Sequence, residues 1–302
     1  MRKRVVVTGM GVAAPNAHGL DNFEQALREG RSGIRHIPQL EELKFSCQIA
    51  GVPENFDEVR KSYFDREKLL SFNDNIGYAS VSAVDAWRDA GFELPDSNDE
   101  TVDWDTGVIA GSGIGGMDTI ALSVVPMINE GRVRRLGSRV VEQVMNSGTS
   151  ARIGGLIGAG NQVTSNSSAC STGNEAVIDA LWRIRMGLAK RMVAGGSEGA
   201  SPYIWGGFDA MRVIARKFND NPAAGSRPIP IRSRPSPASG RRPRRRSLRM
   251  RSTCRSSTSR RTSGGSSSTS SSRTGKASGT TRSSRSWRGR STARTRGSGT
   301  AR

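Results

Sequence analysis

The positive charge of this chain is concentrated beyond Pro228, and this uneven distribution limits which part of the chain can fold. Residues 229–302 contain 20 Arg, one Lys and no Asp or Glu, a balance of +21, although the whole 302-residue chain carries only +19. The first 228 residues retain 25 basic and 27 acidic side chains, a balance of −2. Only this first part has the apolar content to bury a sizeable core.

The last 74 residues have a low-complexity composition, with 21 Ser and no Val, Phe or Tyr. So few large apolar side chains cannot offset the entropy that a chain loses when it folds. We therefore predict two parts, a globular domain over residues 1–228 and a disordered Arg/Ser-rich tail over residues 229–302.

The cysteines and histidines argue against a disulfide framework and against a metal site. Cys47, Cys170 and Cys254 are too few and too widely spaced for either. The only two histidines, His18 and His36, lie among Gly and Pro and are interpreted as surface residues rather than ligands. No cofactor is predicted. The chain lacks a signal-peptide pattern and an apolar run of membrane-spanning length, so a cytoplasmic location is expected.

Apolar strand patterns alternate with helical patterns along the first 228 residues. Buried strands are predicted at Arg4–Thr8, Val108–Ala110 and Met192–Ala194. A helix is predicted over Asp21–Arg28, with Asp21 as its cap, and a long amphipathic helical region over Arg66–Ala90. This alternation indicates an α/β fold with a mainly parallel sheet, and it places the chemistry at the carboxyl ends of the strands.

The second predicted strand runs into the sequence GSGIGG at 111–116, which satisfies the dinucleotide-binding pattern G-x-G-x-x-G. In a Rossmann fold, however, the first strand normally carries this pattern, and a later strand ends in an acidic residue. No such strand follows at the expected distance here. Close backbone packing beside a pocket is therefore the preferred interpretation.

Cys170 lies where a predicted strand gives way to a helix. Val163–Ser165 has the pattern of a strand end, residues 166–168 form a small polar turn, and a helical pattern begins at Ser171. The N–H groups and dipole of such a helix favour a thiolate, the form that attacks carbonyl carbon. A buried cysteine can equally be a small apolar filler. The spacing leaves both interpretations open, although the small neighbouring residues leave room for a substrate.

Five motifs occur in an order that resembles a known family: VVVTGMGV at 5–12, GSGIGG at 111–116, SSACSTG around Cys170, VAGGSEG at 193–199, and GGFDAMRVIARKFNDNPAAGSRP at 206–228. Together they resemble the elongating β-ketoacyl-acyl-carrier-protein synthases, condensing enzymes of fatty-acid and polyketide synthesis. The resemblance covers residues 1–228 and implies the N-terminal half of a thiolase-like fold, a layered α-β-α arrangement with a mainly parallel sheet.

The resemblance implies roles for individual residues. Cys170 is the nucleophile that takes the acyl chain as a thioester, and its own N–H supplies half of an oxyanion hole. Ile114 matches the floor of the acyl pocket. Arg66, Lys68 and Arg212 fall near positions that meet the acidic carrier protein, although solvated surface charge is an alternative for these three residues. The implied partners and substrates are acyl carrier protein and acyl and malonyl thioesters.

The family also implies a homodimer paired through a strand near Val193–Gly196. It further implies a second half of the fold, whose sequence pattern does not follow Pro228 here. That half carries two histidines, a lysine and a Gly-Phe-rich loop, whereas IPIRSRPSPASGRRPRRR follows Pro228 here and no histidine follows His36. The abrupt change resembles translation of a GC-rich gene in the wrong frame. We therefore expect no condensing activity from this chain, with acylation of Cys170 left open, and an exposed apolar face that promotes aggregation.

Two other classes of function are compatible with parts of the sequence. The basic residues from Arg241 to Arg245 and the Arg-Ser pairs of the tail would bind phosphate groups of a nucleic acid without base specificity. Trp287 is the only aromatic residue of the tail that could stack on a base. A non-catalytic partner subunit of a condensing enzyme is the other alternative, but such partners lack the active cysteine.

Overall fold

The computed structural model describes residues 4–96 and 99–225, and the strands in these ranges form three separate sheets. Two are short antiparallel pairs and the third is a three-stranded parallel sheet. In chain order the strands are β1 (Ala13–Ala14), β2 (Ala17–His18), β3 (Ile34–His36), β4 (Ile49–Gly51), β5 (Thr106–Gly111), β6 (Val163–Thr164) and β7 (Arg191–Gly196).

Helices occupy most of the chain between these strands. In order they are α1 (Leu20–Arg28), α2 (Pro38–Glu42), α3 (Phe56–Tyr63), α4 (Arg66–Leu69), α5 (Asp74–Asp89), α6 (Met117–Thr119), α7 (Val125–Asn129), α8 (Arg139–Val144), α9 (Ser147–Ile157), α10 (Thr172–Arg185) and α11 (Pro202–Ala210). A π-helical turn at Ile120–Val124 joins α6 to α7, and short 3₁₀ turns lie at Val133–Arg135, Ala169–Ser171, Arg216–Phe218 and Pro222–Gly225.

The parallel sheet has the order β6-β5-β7, and all six residues of its central strand β5 are buried. Val108 and Ala110 pack with residues of α5 and α9, while Ile109 packs with Ala176 and Ala180 of α10. Successive side chains of a strand point to opposite faces, so β5 contributes to two apolar layers at once. The predicted α-β-α layering, the parallel sheet and the strands at Val108–Ala110 and Met192–Ala194 are confirmed.

The predicted strand at Arg4–Thr8 is wrong, because residues 4–8 are irregular in the structure. Val6 and Val7 are 48% and 70% exposed, and no strand of the described ranges pairs along them. The following residues pack on α5 instead, where a Cβ added to Gly9 would lie 2.1 Å from the Ala86 carbonyl oxygen. A β-branched run becomes a strand only where another strand meets it, which is a matter of tertiary structure.

Two helix boundaries also differ from the predictions. Asp21 lies inside the first turn of α1, and the residue before the helix is Gly19, which has a φ of +79° and offers no side-chain cap. The predicted helical region over Arg66–Ala90 is divided into α4 and α5. Asn73 is the N-cap of the second helix, because its Oδ1 accepts the N–H of Ile76 at 2.9 Å.

Several predictions concern residues outside the described ranges. They include the boundary at Pro228, the disordered tail over residues 229–302, and the nucleic-acid contacts from Arg241 to Arg245 and at Trp287. Cys254 also lies outside. These stay predictions. Within the described ranges, no helix has the length and hydropathy needed to span a bilayer.

Candidate functional site

The carboxyl ends of the three parallel strands lie along one edge of the sheet. β5 runs into residues 112–116, β6 leads to Cys170, and β7 leads to Glu198. The register pairs Gly111 with Gly196 and so brings two of these ends level. Because parallel strands end on the same side, turns that are far apart in sequence converge here.

Cys170 is exposed on a sharp turn, which we call the cysteine elbow and define as residues 168–172. Ala169 has a φ of +50°, a left-handed conformation that few residues other than glycine adopt. This conformation turns the chain directly into α10, whose first residue is Thr172. Cys170 therefore lies at the start of a 14-residue helix, as the sequence predicted, and its exposure argues against the role of buried filler.

The side chain of Thr172, which is 3% exposed, holds the elbow together. Its hydroxyl accepts the N–H of Ser168 at 2.9 Å and donates to the carbonyl of Ala169 at 2.8 Å. The side-chain amide of Asn166 donates to the Thr172 carbonyl at 2.7 Å. These bonds satisfy the backbone groups around the left-handed residue and offset its conformational cost.

Residues 111–116, called here the glycine turn, pack directly on the cysteine elbow. A Cβ added to Gly111 would lie 1.9 Å from the carbonyl oxygen of Asn166, and one added to Gly113 would lie 3.3 Å from Ala169 Cα. The Ser167 hydroxyl donates to the Gly113 carbonyl at 3.3 Å. The glycines are therefore required for close packing of two backbones, as predicted.

Ile114 is 38% exposed within the glycine turn. The packing of Gly113 on Ala169 puts the predicted pocket residue and the predicted nucleophile on neighbouring turns. Two cavities of the described ranges, of about 430 and 340 Å³, lie elsewhere, because no residue of either turn lines them. The first is an apolar groove between α9 and β6.

Glu198 is a residue of this site to which the sequence analysis assigned no role. Its carboxylate accepts the Ser112 hydroxyl at 2.8 Å and the N–H of Gly113 at 2.5 Å. The available signal was an acidic residue in a glycine-rich turn directly after a strand. Nothing in the spacing could show that this residue reaches a turn 85 positions earlier.

The three residues predicted to contact the carrier protein are exposed, and their contacts do not include the cysteine elbow. Arg66 and Lys68 belong to α4, where Lys68 forms an ion pair of 2.9 Å with Asp65. Arg212 follows α11 with a φ of +56°. Among the described residues, none of the three makes a hydrogen bond or ion pair with the cysteine elbow. Solvated surface charge therefore remains an alternative role.

The histidines also lie away from Cys170. His36 is 39% exposed beside Glu41, as expected of a surface residue. His18 differs from the prediction, because it packs edge-on against Phe56 and Tyr63 and lies 3.2 Å from Asp85. Burial, and a hydrogen bond of 2.7 Å to Asp85, raise the pKa of the Tyr63 hydroxyl. Within the ranges that the structure covers, no group of His, Cys, Asp and Glu is arranged to hold a metal ion.

Comparison with known proteins gives one consistent result. Residues 2–228 match the family described as "Beta-ketoacyl synthase, N-terminal domain". The 3-oxoacyl-[acyl-carrier-protein] synthase 2 of Vibrio harveyi is 33% identical over 230 residues, which cover 75% of this chain and 53% of that protein. The chain thus spans about half the length of the curated relatives that it matches.

Solved structures agree with the sequence matches. A β-ketoacyl synthase from Burkholderia phymatum STM815 superposes with a TM-score of 0.64 at 28% identity, over 74% of this chain and 53% of that one. A second structure, AntDE:AntF, is described as a type II polyketide acyl-carrier protein in complex with its ketosynthase bound to the hexaketide. It has a TM-score of 0.59 at 24% identity, over 72% of this chain and 50% of that one, and supports the fold alone.

Proposed function

This chain belongs to the β-ketoacyl synthase family, and from that premise we propose that it carries the acyl-accepting part of a 3-oxoacyl-[acyl-carrier-protein] synthase. The observation that supports this proposal is the exposed thiol of Cys170, presented on a tight elbow at the start of α10. A nucleophile needs an accessible position that is held in one geometry.

In the proposed first step, the Cys170 sulfur attacks the carbonyl carbon of an acyl thioester on the carrier. A new carbon–sulfur bond forms, the bond to the carrier sulfur breaks, and the carrier leaves as a free thiol. Negative charge develops on the carbonyl oxygen in between, and the backbone N–H of Cys170 is proposed as one of the donors that stabilise it.

The complete family reaction would continue with a decarboxylative Claisen condensation, in fatty-acid or polyketide synthesis. Malonyl-carrier loses carbon dioxide, the resulting carbanion attacks the Cys170 thioester, and the cysteine thiolate leaves the 3-oxoacyl product. We propose that this chain stops at acylation. The chain has no histidine after His36, and within the described ranges His18 and His36 contact other elements.

The remaining assignments also follow from family membership. Ile114 is proposed to limit the acyl pocket, and Arg66, Lys68 and Arg212 are proposed to contact the carrier protein. The names of the relatives, which include acyl carrier protein, support that partner. We further propose a cytoplasmic homodimer. Its two copies would pair near Val193–Gly196, through the edge of β7 that does not pair with β5.

The +21 charge of residues 229–302 favours a secondary proposal, salt-dependent binding of nucleic-acid phosphates without base specificity. It concerns the tail alone and is independent of Cys170.

The proposed function is tested by intact-mass measurement after the purified full chain is incubated with an acyl-thioester donor. We expect a mass gain of one acyl group, lost in Cys170→Ala and kept in Cys47→Ala, because Cys47 is only 5% exposed. With malonyl-carrier added, no 3-oxoacyl product is expected. Unlabelled but soluble protein would contradict the acylation step, and a 3-oxoacyl product would contradict the proposed stop.

A further inference from the structure

We propose that Glu198 is a positioning residue that holds the glycine turn against the cysteine elbow, and so sets where an acyl group lies relative to Cys170. The inference rests on the proposed acylation, whereas the hydrogen bonds from which it is argued are observed independently of any function. The Glu198 carboxylate binds two groups of the turn at once, the Ser112 hydroxyl at 2.8 Å and the Gly113 N–H at 2.5 Å.

Ser112 extends this contact through the rest of the turn. It is completely buried, and while its hydroxyl donates to Glu198 its oxygen accepts the N–H of Gly115 at 3.1 Å. Glu198 therefore fixes the direction of the hydroxyl hydrogen as well as one end of the turn. Linked hydrogen bonds of this kind strengthen one another and restrict the backbone more than separate contacts would.

Gly113 lies between Glu198 and the elbow. A Cβ at this position would be 3.0 Å from Glu198 Oε1 and 3.3 Å from Ala169 Cα. Any movement of the turn away from the carboxylate therefore changes its contact with the residue next to Cys170. Ile114, the next residue along the chain, moves with it. Glu198 thus links the strand end after β7 to both the nucleophile and the proposed pocket residue.

The rest of the surroundings suits a positioning role. Glu198 is itself exposed, so its replacement leaves the buried core intact. Without the carboxylate, the Gly113 N–H and the Ser112 hydroxyl lose their protein acceptor. A shift of about 1 Å in groups that orient a reacting centre is enough to reduce a rate by as much as about 100-fold.

Two rates measured on the full chain test the proposal. The first is alkylation of Cys170 by iodoacetamide, followed by peptide mass spectrometry, which needs no enzymatic function. The second is acylation of Cys170 by short-chain and long-chain acyl thioesters. The variants are Glu198→Ala, Glu198→Gln and Ser112→Ala. Glu175→Ala, which removes an exposed carboxylate from the first turn of α10, is the matched control.

Glu198→Ala and Ser112→Ala are expected to change the alkylation rate in the same direction, by about threefold or more, and to alter the ratio of short-chain to long-chain acylation. Glu198→Gln is expected to stay near the wild type, because the amide oxygen can still accept from Gly113. Glu175→Ala is expected to change neither rate. This pattern would show that Glu198 acts through its hydrogen bonds to the glycine turn and not through its negative charge.

Opposite patterns would overturn the proposal. If Glu198→Ala leaves both rates unchanged, Glu198 positions nothing. If Glu198→Gln matches Glu198→Ala while Ser112→Ala behaves as wild type, the charge acts and the contact does not. If the wild type is not acylated at all, the proposed function fails, and the alkylation rates alone still decide the role of Glu198.

Discussion

At the scale of single residues, the site depends on Thr172 because Ala169 adopts a left-handed conformation. Such a conformation costs of order 1–2 kcal/mol outside glycine and persists only where the surroundings enforce it. The Thr172 hydroxyl bridges the backbone groups on either side of Ala169. The exposure of Cys170 is therefore maintained by a residue that does not itself react.

Thr172→Val keeps the size of this side chain and removes the hydroxyl. We expect a loss of about 1 kcal/mol or more in the free energy of unfolding, because the Ser168 N–H loses its acceptor and the Ala169 carbonyl loses one of its two donors. Urea denaturation measures the loss, and slower acylation of Cys170 is expected with it. Thr164→Val, at a hydroxyl with no hydrogen bond among the described residues, is the control. Equal stability of the two variants would contradict the role of Thr172.

At the scale of elements, α5 is the helix that joins the two largest apolar clusters. Its start carries an unfavourable charge. The Asp74 side chain is partly buried there, at 42% exposed, and burial, followed by the nearby carboxylate of Asp118, raises the pKa of its side chain despite Arg60. The folded state therefore disfavours the ionised form of Asp74.

A raised carboxyl pKa gives a definite pH dependence. The folded chain binds the Asp74 proton more tightly than the unfolded chain does, so this group's contribution to stability falls as the pH rises through the ordinary aspartate range to the raised pKa. Asp74→Asn is therefore expected to raise the melting temperature at pH 7, with a smaller gain near pH 4. Asp179→Asn, on the exposed side of α10, is the control. A gain that is the same at both pH values would contradict this explanation.

At the scale of the whole molecule, α10 is apolar on two sides. Ala176 and Ala180 are buried against β5. Val177, Ile178 and Trp182 are each about half exposed, at 50%, 51% and 47%. A contiguous apolar surface of this kind promotes association in water. Among the described residues, we therefore expect this surface to contribute to the aggregation predicted from the sequence.

Replacement of Trp182 by Glu is expected to reduce the aggregation of the full chain, measured by light scattering at increasing concentration, without lowering its melting temperature. Leu43→Lys, which changes an exposed apolar residue at the end of α2, is expected to have little effect. If both variants reduce aggregation equally, general surface polarity is the cause. If neither does, association uses another surface.

The sequence by itself determined the local units of this protein. The strands of the parallel sheet, the glycine turn and the elbow with Cys170 were predictable, because residue spacing and turn-forming residues encode them over a few positions. The order of five motifs was enough to identify the family. The same local signals placed Cys170 before a helix, where the structure has it.

Only the tertiary structure decided which distant groups meet. It left Val6 and Val7 outside the described strands, packed His18 against Tyr63, and brought Glu198 to the glycine turn. Strand pairing and side-chain contact join positions tens of residues apart, and no periodicity records them. The physical reason is that a hydrogen bond or an apolar contact depends on distance in space, whereas a sequence pattern reports only the preferences of neighbouring residues.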